Sequence, residues 1–216
     1  MQAPKLSWLP ESADWASGLK AATTGASFAS LVALARFQLD FMQTIKLDRV
    51  LQAAGAGERP EGFPEPLRVA ILSGSTVDHL LPGIRIGLLR RGIAAQLHVT
   101  DYGQYQQELV NPQSELHEFK PDVVFFAFDA GHLIGRPDKV IADPAKDLDR
   151  TLANIRGLWR LAREQFRCQV IQQSVLQTFL PIMGSNEHRL PGSPHALVNR
   201  LNQELAHMAD DEQVEL

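Results

Sequence analysis

The stretch Arg68-Val-Ala-Ile-Leu-Ser-Gly-Ser-Thr-Val-Asp-His79 constrains the fold most. Four apolar residues, Val69 to Leu72, run without a polar break and then stop at small polar residues. Leu80, Leu81, Ile84 and Leu88 follow at helical spacing. This order reads as a buried strand, a tight turn and the N-terminus of a helix. Hydroxyls and free backbone N–H groups gather at such a junction, where an anion or a developing oxyanion is stabilised.

The same rhythm continues downstream. Strands are expected at 68–72, 94–100, 123–128 and 168–173, and 213–216 opens a fifth. Helices are expected at 78–91, stopped by Gly92, at 143–166 and from about 195 to 209. Continuous apolar strands alternating with helices indicate a parallel sheet covered on both faces. The fold class is therefore α/β, a three-layer α/β/α arrangement. Right-handed crossovers order it as a doubly wound, flavodoxin-like sheet of about five strands. Ligands of such sheets sit at the carboxyl ends of the strands. Four segments are thus expected to meet there: 73–78, 101–107, 129–135 and 174–194.

Residues 1–54 read as a helical appendage. Ser27 or Ser30 is placed to cap a helix, and Leu31, Leu34, Phe37, Leu39, Phe41, Ile45 and Leu47 fall near helical spacing. Residues 55–66 hold three Gly and three Pro among polar residues, the composition of a connector. The α/β domain then spans 67–216. Its closing Val214-Glu215-Leu216 starts a strand and stops, which suggests a piece of a longer protein.

The net charge of −4 and the lack of a basic stripe argue against nucleic acid as a partner. No basic-then-apolar leader is present at the N-terminus, and no run of about 20 apolar residues would span a membrane. The single cysteine, Cys168, excludes an internal disulfide and a Cys-rich zinc site and fits a reducing cytoplasm. No His/Asp/Glu set has metal-ligand spacing, and the glycine fingerprints of nucleotide sites are absent.

Ser75 is the leading candidate for chemistry, as a nucleophile that needs a base and oxyanion donors. The competing reading has Ser73, Ser75 and Thr76 merely capping the next helix. Gly74 and Asp78 complete this turn. In Asp101-Tyr-Gly-Gln-Tyr-Gln107, Gly103 lets a backbone N–H approach a ligand, and Gln104 lies beside it. Tyr102 and Tyr105 either line a pocket or pack the loop. Asp129 ends an apolar strand and either enters the crevice or pairs locally. His132, three residues on, completes an Asp-x-x-His pattern whose side chains need not touch. Asn186, His188 and Arg189 crowd the long loop, to bind an anion or acyl chain or simply to be solvated; His132 and His188 are the candidate bases.

Taken together, these segments resemble the amino-terminal region of FkbH-like proteins of polyketide biosynthesis. The matching stretches are 39–49, 71–81, 88–93, 101–108, 119–124 with Asp129-Ala130, and 186–193. The resemblance implies a protein that makes glyceryl-carrier-protein from a phosphorylated three-carbon acid. It implies as partners an acyl carrier protein with its phosphopantetheine arm and a following haloacid-dehalogenase-like (HAD, subfamily IIIC) phosphatase domain. Magnesium would belong to that domain's Asp-x-Asp motif; no cofactor is expected here.

The front region of such proteins looks like an SGNH hydrolase. By position Ser75 matches the serine, Gly103 the oxyanion-hole glycine and Asp129 the asparagine. The departures are Ser73-Gly74 in place of Gly-Asp, the missing late Asp-x-x-His, and Asp129 itself, since an ionised carboxylate cannot donate to an oxyanion. The resemblance thus implies a domain that positions an acyl group or carrier arm without hydrolysing it, with Asp129 accepting from a substrate hydroxyl. The alternatives are an SGNH-type serine acyltransferase or esterase using Ser75, and a flavodoxin-like cofactor binder with Ser73–Thr76 around a phosphate.

Overall fold

The computed structural model describes residues 8–55, 61–135, 143–180 and 184–216. By internal contacts the chain forms two compact units: residues 1–67 with 77–97, and residues 68–76 with 98–216.

The first unit is helical. It contains α1 (Trp15–Thr24), α2 (Phe28–Ala35), α3 (Phe41–Ala54) and α4 (Leu81–Leu89). Of the two serines proposed as caps, Ser27 starts α2, its hydroxyl accepting from the Ser30 N–H at 3.2 Å. Asp40 starts α3 with a reciprocal capping box: its carboxylate takes the Gln43 N–H while the Gln43 side chain takes the Asp40 N–H. Trp15, Leu31, Ala35, Leu47, Ile86 and Leu89 form the unit's core. Trp15 satisfies its indole N–H on the Leu34 carbonyl at 3.2 Å.

A charge lies inside this unit. Asp48 is 3% exposed, and Arg85 grips it with two bonds of 2.6 and 2.9 Å. Gln52 adds a third donor at 2.9 Å. A buried carboxylate is tolerated only with such partners.

The second unit carries the parallel pairing. The strands β1 (Leu67–Ser73), β2 (Ala95–Val99), β3 (Val123–Ala127) and β4 (Gln169–Gln172) form one sheet in the order β2-β1-β3-β4. β1 pairs with β3 from Val69↔Val123 to Ser73↔Ala127, and β3 with β4 from Val123↔Gln169 to Phe126↔Gln172, both in parallel. The α/β class is as expected, with four strands in place of about five. The C-terminal segment contributes a single parallel bridge, Ile171↔Glu215, beside β4.

The helices of this unit are α5 (Tyr105–Val110), α6 (Glu115–Phe119), α7 (Ala130–Ile134), α8 (Pro144–Phe166) and α9 (Pro194–Glu212). Asp143 and Ser193 cap α8 and α9, each followed by proline at the first helical position. Leu72, Val124, Phe126, Leu158, Trp159 and Leu201 centre the core. Gln172 is fully buried within it; its amide oxygen receives the Trp159 indole N–H at 3.1 Å and its NH₂ donates to the Gln173 carbonyl at 2.9 Å. No helix among the described residues is long and apolar enough to cross a membrane.

The buried pair makes a direct stability test. Arg85→Met strands the Asp48 carboxylate and is expected to destabilise the protein by about 3–5 kcal/mol in urea unfolding. Adding Asp48→Leu to that variant is expected to restore most of the loss.

Candidate functional site

Parallel register sets the ends of the strands level with one another. Ser73 and Ala127 are the last paired residues of β1 and β3. The Thr100 N–H reaches the Ile71 carbonyl at 3.3 Å, and the Gln173 N–H reaches the Phe126 carbonyl at 2.9 Å. The chain beyond each strand therefore leaves from one edge. Ser75 and Asp129 each lie two residues past the last rung.

The turn after β1 departs from expectation. The helix does not begin at the serines: a 3-10 turn, Asp78–Leu80, precedes α4, and no side chain caps it. Ser73 is 2% exposed and spends its hydroxyl on the Ser75 carbonyl at 2.6 Å. Ser75 is partly exposed and Thr76 exposed. Asp78 is exposed and belongs to the helical unit. Among the described residues neither the Ser75 nor the Thr76 hydroxyl has a hydrogen-bond partner.

Asp129 pairs locally. Its Oδ1 accepts the His132 backbone N–H at 2.8 Å and so caps α7. The carboxylate holds the main chain of His132; the ring turns elsewhere. No Asp–His side-chain dyad forms, which answers the Asp-x-x-His pattern in the negative.

The His132 ring is the best-defined object at this edge. It stacks on Phe128, with centroids 5.0 Å apart and planes 29° apart, and meets Tyr105 edge-on at 5.7 Å. Its Nε2 is 2.9 Å from the Tyr105 hydroxyl. One face of the ring lies on Gly74: a Cβ at residue 74 would come within 2.3 Å of both Cγ and Nδ1 and 2.8 Å of Cδ2. Only glycine leaves room for the ring. The ring is packed on three sides yet keeps solvent access. That packing pulls the His132 pKa below its ordinary value, and the Asp129 charge opposes the change only in part. Burial likewise pushes the Tyr105 phenol up, so it stays protonated.

The other proposed residues surround this edge less closely. Gly103 has φ +72°, the left-handed conformation that glycine permits, and Tyr102 beside it is 77% exposed. Gln104 precedes α5 and helps line a polar depression of about 300 Å³ with Val99, Asp101, Gln107 and Glu108. A wider depression, about 700 Å³, lies within the helical unit between Leu51, Phe63, Arg85 and Ala95. Asn186, His188 and Arg189 occupy an exposed 3-10 helix, Gly184–Arg189. The buried residue there is Glu187, at 5%; its carbonyl receives the Ser193 hydroxyl.

Sequence reasoning missed one partner here. Phe128 reads as one more core residue of an apolar strand; no periodicity marks it as a neighbour of His132. Tyr105 was separable from Tyr102 only by burial, 4% against 77%. Among the described residues no cluster of three or more His, Cys, Asp or Glu side chains fits a metal ion. Cys168 is half-buried with its thiol pushed up to about 11 by burial, an unreactive state.

A family model described as FkbH, N-terminal domain, matches residues 68–214. No curated protein matches the chain. Among solved structures, the chain is similar to the N-terminal part of the protein BF1531 from Bacteroides fragilis, a crystal structure containing a phosphatase domain complexed with Mg. The TM-score is 0.60 at 22% identity, covering 76% of this chain and 42% of that one. At that identity the likeness shows the α/β fold, and this chain spans less than half of the neighbour's length.

Gly74→Ala forces a methyl group into the His132 ring. It is expected to lower stability by about 1–3 kcal/mol in thermal unfolding and to shift the His132 ring resonances.

Proposed function

Because the chain belongs to the FkbH N-terminal-domain family, we propose that it holds an acyl group, or the acylated phosphopantetheine arm of a carrier protein, at the Gly74–Ser75 turn. It does so within a longer protein whose HAD-like domain performs the phosphatase chemistry. The product of the whole protein is glyceryl-carrier-protein. Tyr102, Gly103 and Gln104 flank the arm, and the exposed Asn186 and Arg189 belong to the surface that receives the carrier.

One observation carries the non-hydrolytic reading. A serine nucleophile needs a base within hydrogen-bond reach of its hydroxyl. The histidine at this edge has its Nε2 engaged by Tyr105, and Ser75 has no such partner among the described residues. Asp129 adds no oxyanion donor, since its carboxylate only accepts. A turn that presents an unactivated hydroxyl beside the His132 ring suits binding an acyl arm better than cleaving it. The acyltransferase reading retains one point in its favour, the free Ser75 hydroxyl.

A fluorophosphonate reagent applied to the full-length protein separates the two. The expected result is no label at Ser75, together with glyceryl loading of the carrier protein that survives Ser75→Ala. Labelling that disappears in Ser75→Ala, with loading reduced on the order of 10⁶-fold as when a nucleophile is deleted, would establish the acyltransferase instead.

A further inference from the structure

We propose that the polar depression at the end of β2 holds the uncharged pantetheine portion of the carrier arm, recognised through its amide and hydroxyl groups. This rests on the reading above that the domain receives an acylated arm, and it names the surface along which that arm lies.

One face of α5 builds the depression. Gln104, Gln107, Glu108 and Asn111 stand at i, i+3, i+4 and i+7, so they share a stripe of the helix. Tyr105 and Leu109 lie on another stripe and are buried in the core, which fixes the helix and leaves the polar stripe outside. The chain beyond α5 is then tied back. Asn111 Oδ1 accepts the Gln113 N–H at 3.0 Å, and the Ser114 hydroxyl donates to the Glu108 carbonyl at 2.7 Å. These bonds bring Gln113 and Glu115 to the same depression, about 300 Å³ in volume, which Val99 and Asp101 also line from the end of β2.

The sheet sets this depression beside the Gly74–Ser75 turn. The Thr100 N–H bonds the Ile71 carbonyl at 3.3 Å, so the end of β2 runs one strand spacing, about 5 Å, from the end of β1.

The lining defines the ligand. The carboxamides of Gln104, Gln107 and Gln113 have no hydrogen-bond partner among the described residues. A carboxamide both donates and accepts. Several of them together match a chain of secondary amides and hydroxyls, groups that also do both. Asp101, Glu108 and Glu115 line the depression, and no lysine or arginine does. Glu108 spends one carboxylate oxygen on His98 Nε2 at 3.3 Å. The carboxylates accept N–H and O–H donors and repel phosphate. The arm's phosphate therefore stays outside, on the carrier's side.

The test uses the intact 216-residue chain, ¹⁵N-labelled, with S-methyl pantetheine as the probe. Saturable binding is expected, with shifts of the Gln104 and Gln107 side-chain NH₂ resonances. Gln107→Met keeps the length of the side chain and removes the amide; it is expected to weaken binding about fivefold, the worth of one hydrogen bond. Adding Gln104→Met is expected to bring the loss to roughly 25-fold. S-methyl 4′-phosphopantetheine is expected to bind no more tightly than the uncharged probe, and inorganic phosphate to leave the NH₂ signals in place.

Binding that shifts Gly74, Ser75 and His132 but spares Gln104 and Gln107, affinity unchanged in the double variant, or saturable binding of phosphate at the depression overturns this placement and leaves the acyl-binding reading standing. Failure of the wild type to bind either S-methyl or S-propionyl pantetheine overturns both. Should the double variant fail to fold, the shifts on the wild type and the single variant decide the matter.

Discussion

Parallel pairing of β1 with β3 governs what the second unit can do. Because the two strands run the same way and stay in register to Ser73↔Ala127, both chains must leave the sheet from one edge. A parallel strand cannot return through a hairpin, so each exit becomes a loop or a helix start. The turn at Gly74 and the start of α7 are such exits, side by side. The His132 ring closes the space between them, resting on the one residue of the first turn that has no side chain.

Closure at that edge is achieved by ring packing and local hydrogen bonds. The ring is held by Phe128, by Tyr105 and by a backbone bond from its own N–H to Asp129. Each contact fixes one degree of freedom, and none supplies the charge relay of a hydrolase. Asp129 illustrates the shift in role. In a catalytic arrangement a residue at the end of β3 would face the substrate. Here its carboxylate holds the first turn of α7, and the ring that follows packs on Gly74. The family to which the chain belongs joins such a domain to other parts of a longer protein. A binding role at this edge is consistent with chemistry performed elsewhere.

The helical unit solves a separate problem. Ser27 and Asp40 cap α2 and α3, and α3 and α4 are tied by the Asp48–Arg85 pair inside the unit. Gln52 completes the shell around the carboxylate. Nothing in the spacing of Asp48 and Arg85, 37 residues apart, advertises this pair. Both read as surface charges on amphipathic helices until packing brings them together.

Local pattern carried much of the rest. Val69–Leu72 and Val123–Phe126 announce buried strands because every residue is apolar, and Ser27, Asp143 and Ser193 mark helix starts through their own hydroxyl or carboxylate. These signals act over a few residues, so they survive without knowledge of the fold. The 3-10 turn after β1 was not legible, because a cap and a serine-rich turn have the same composition. The fifth strand shrank to one bridge because only Glu215 reaches β4. Gln172 looked like an ordinary strand residue until Trp159, thirteen residues earlier on α8, came to lie against it.

By itself, then, the sequence determined the α/β class and the family resemblance, since hydrophobic period and turn chemistry are properties of neighbouring residues. Tertiary structure decided which side chains meet there. Ser73 turned inward, Asp129 became a helix cap, and His132 was set between Gly74 and Tyr105. The placement of His132 depends on contacts with segments distant in sequence, which follow from strand register and core packing.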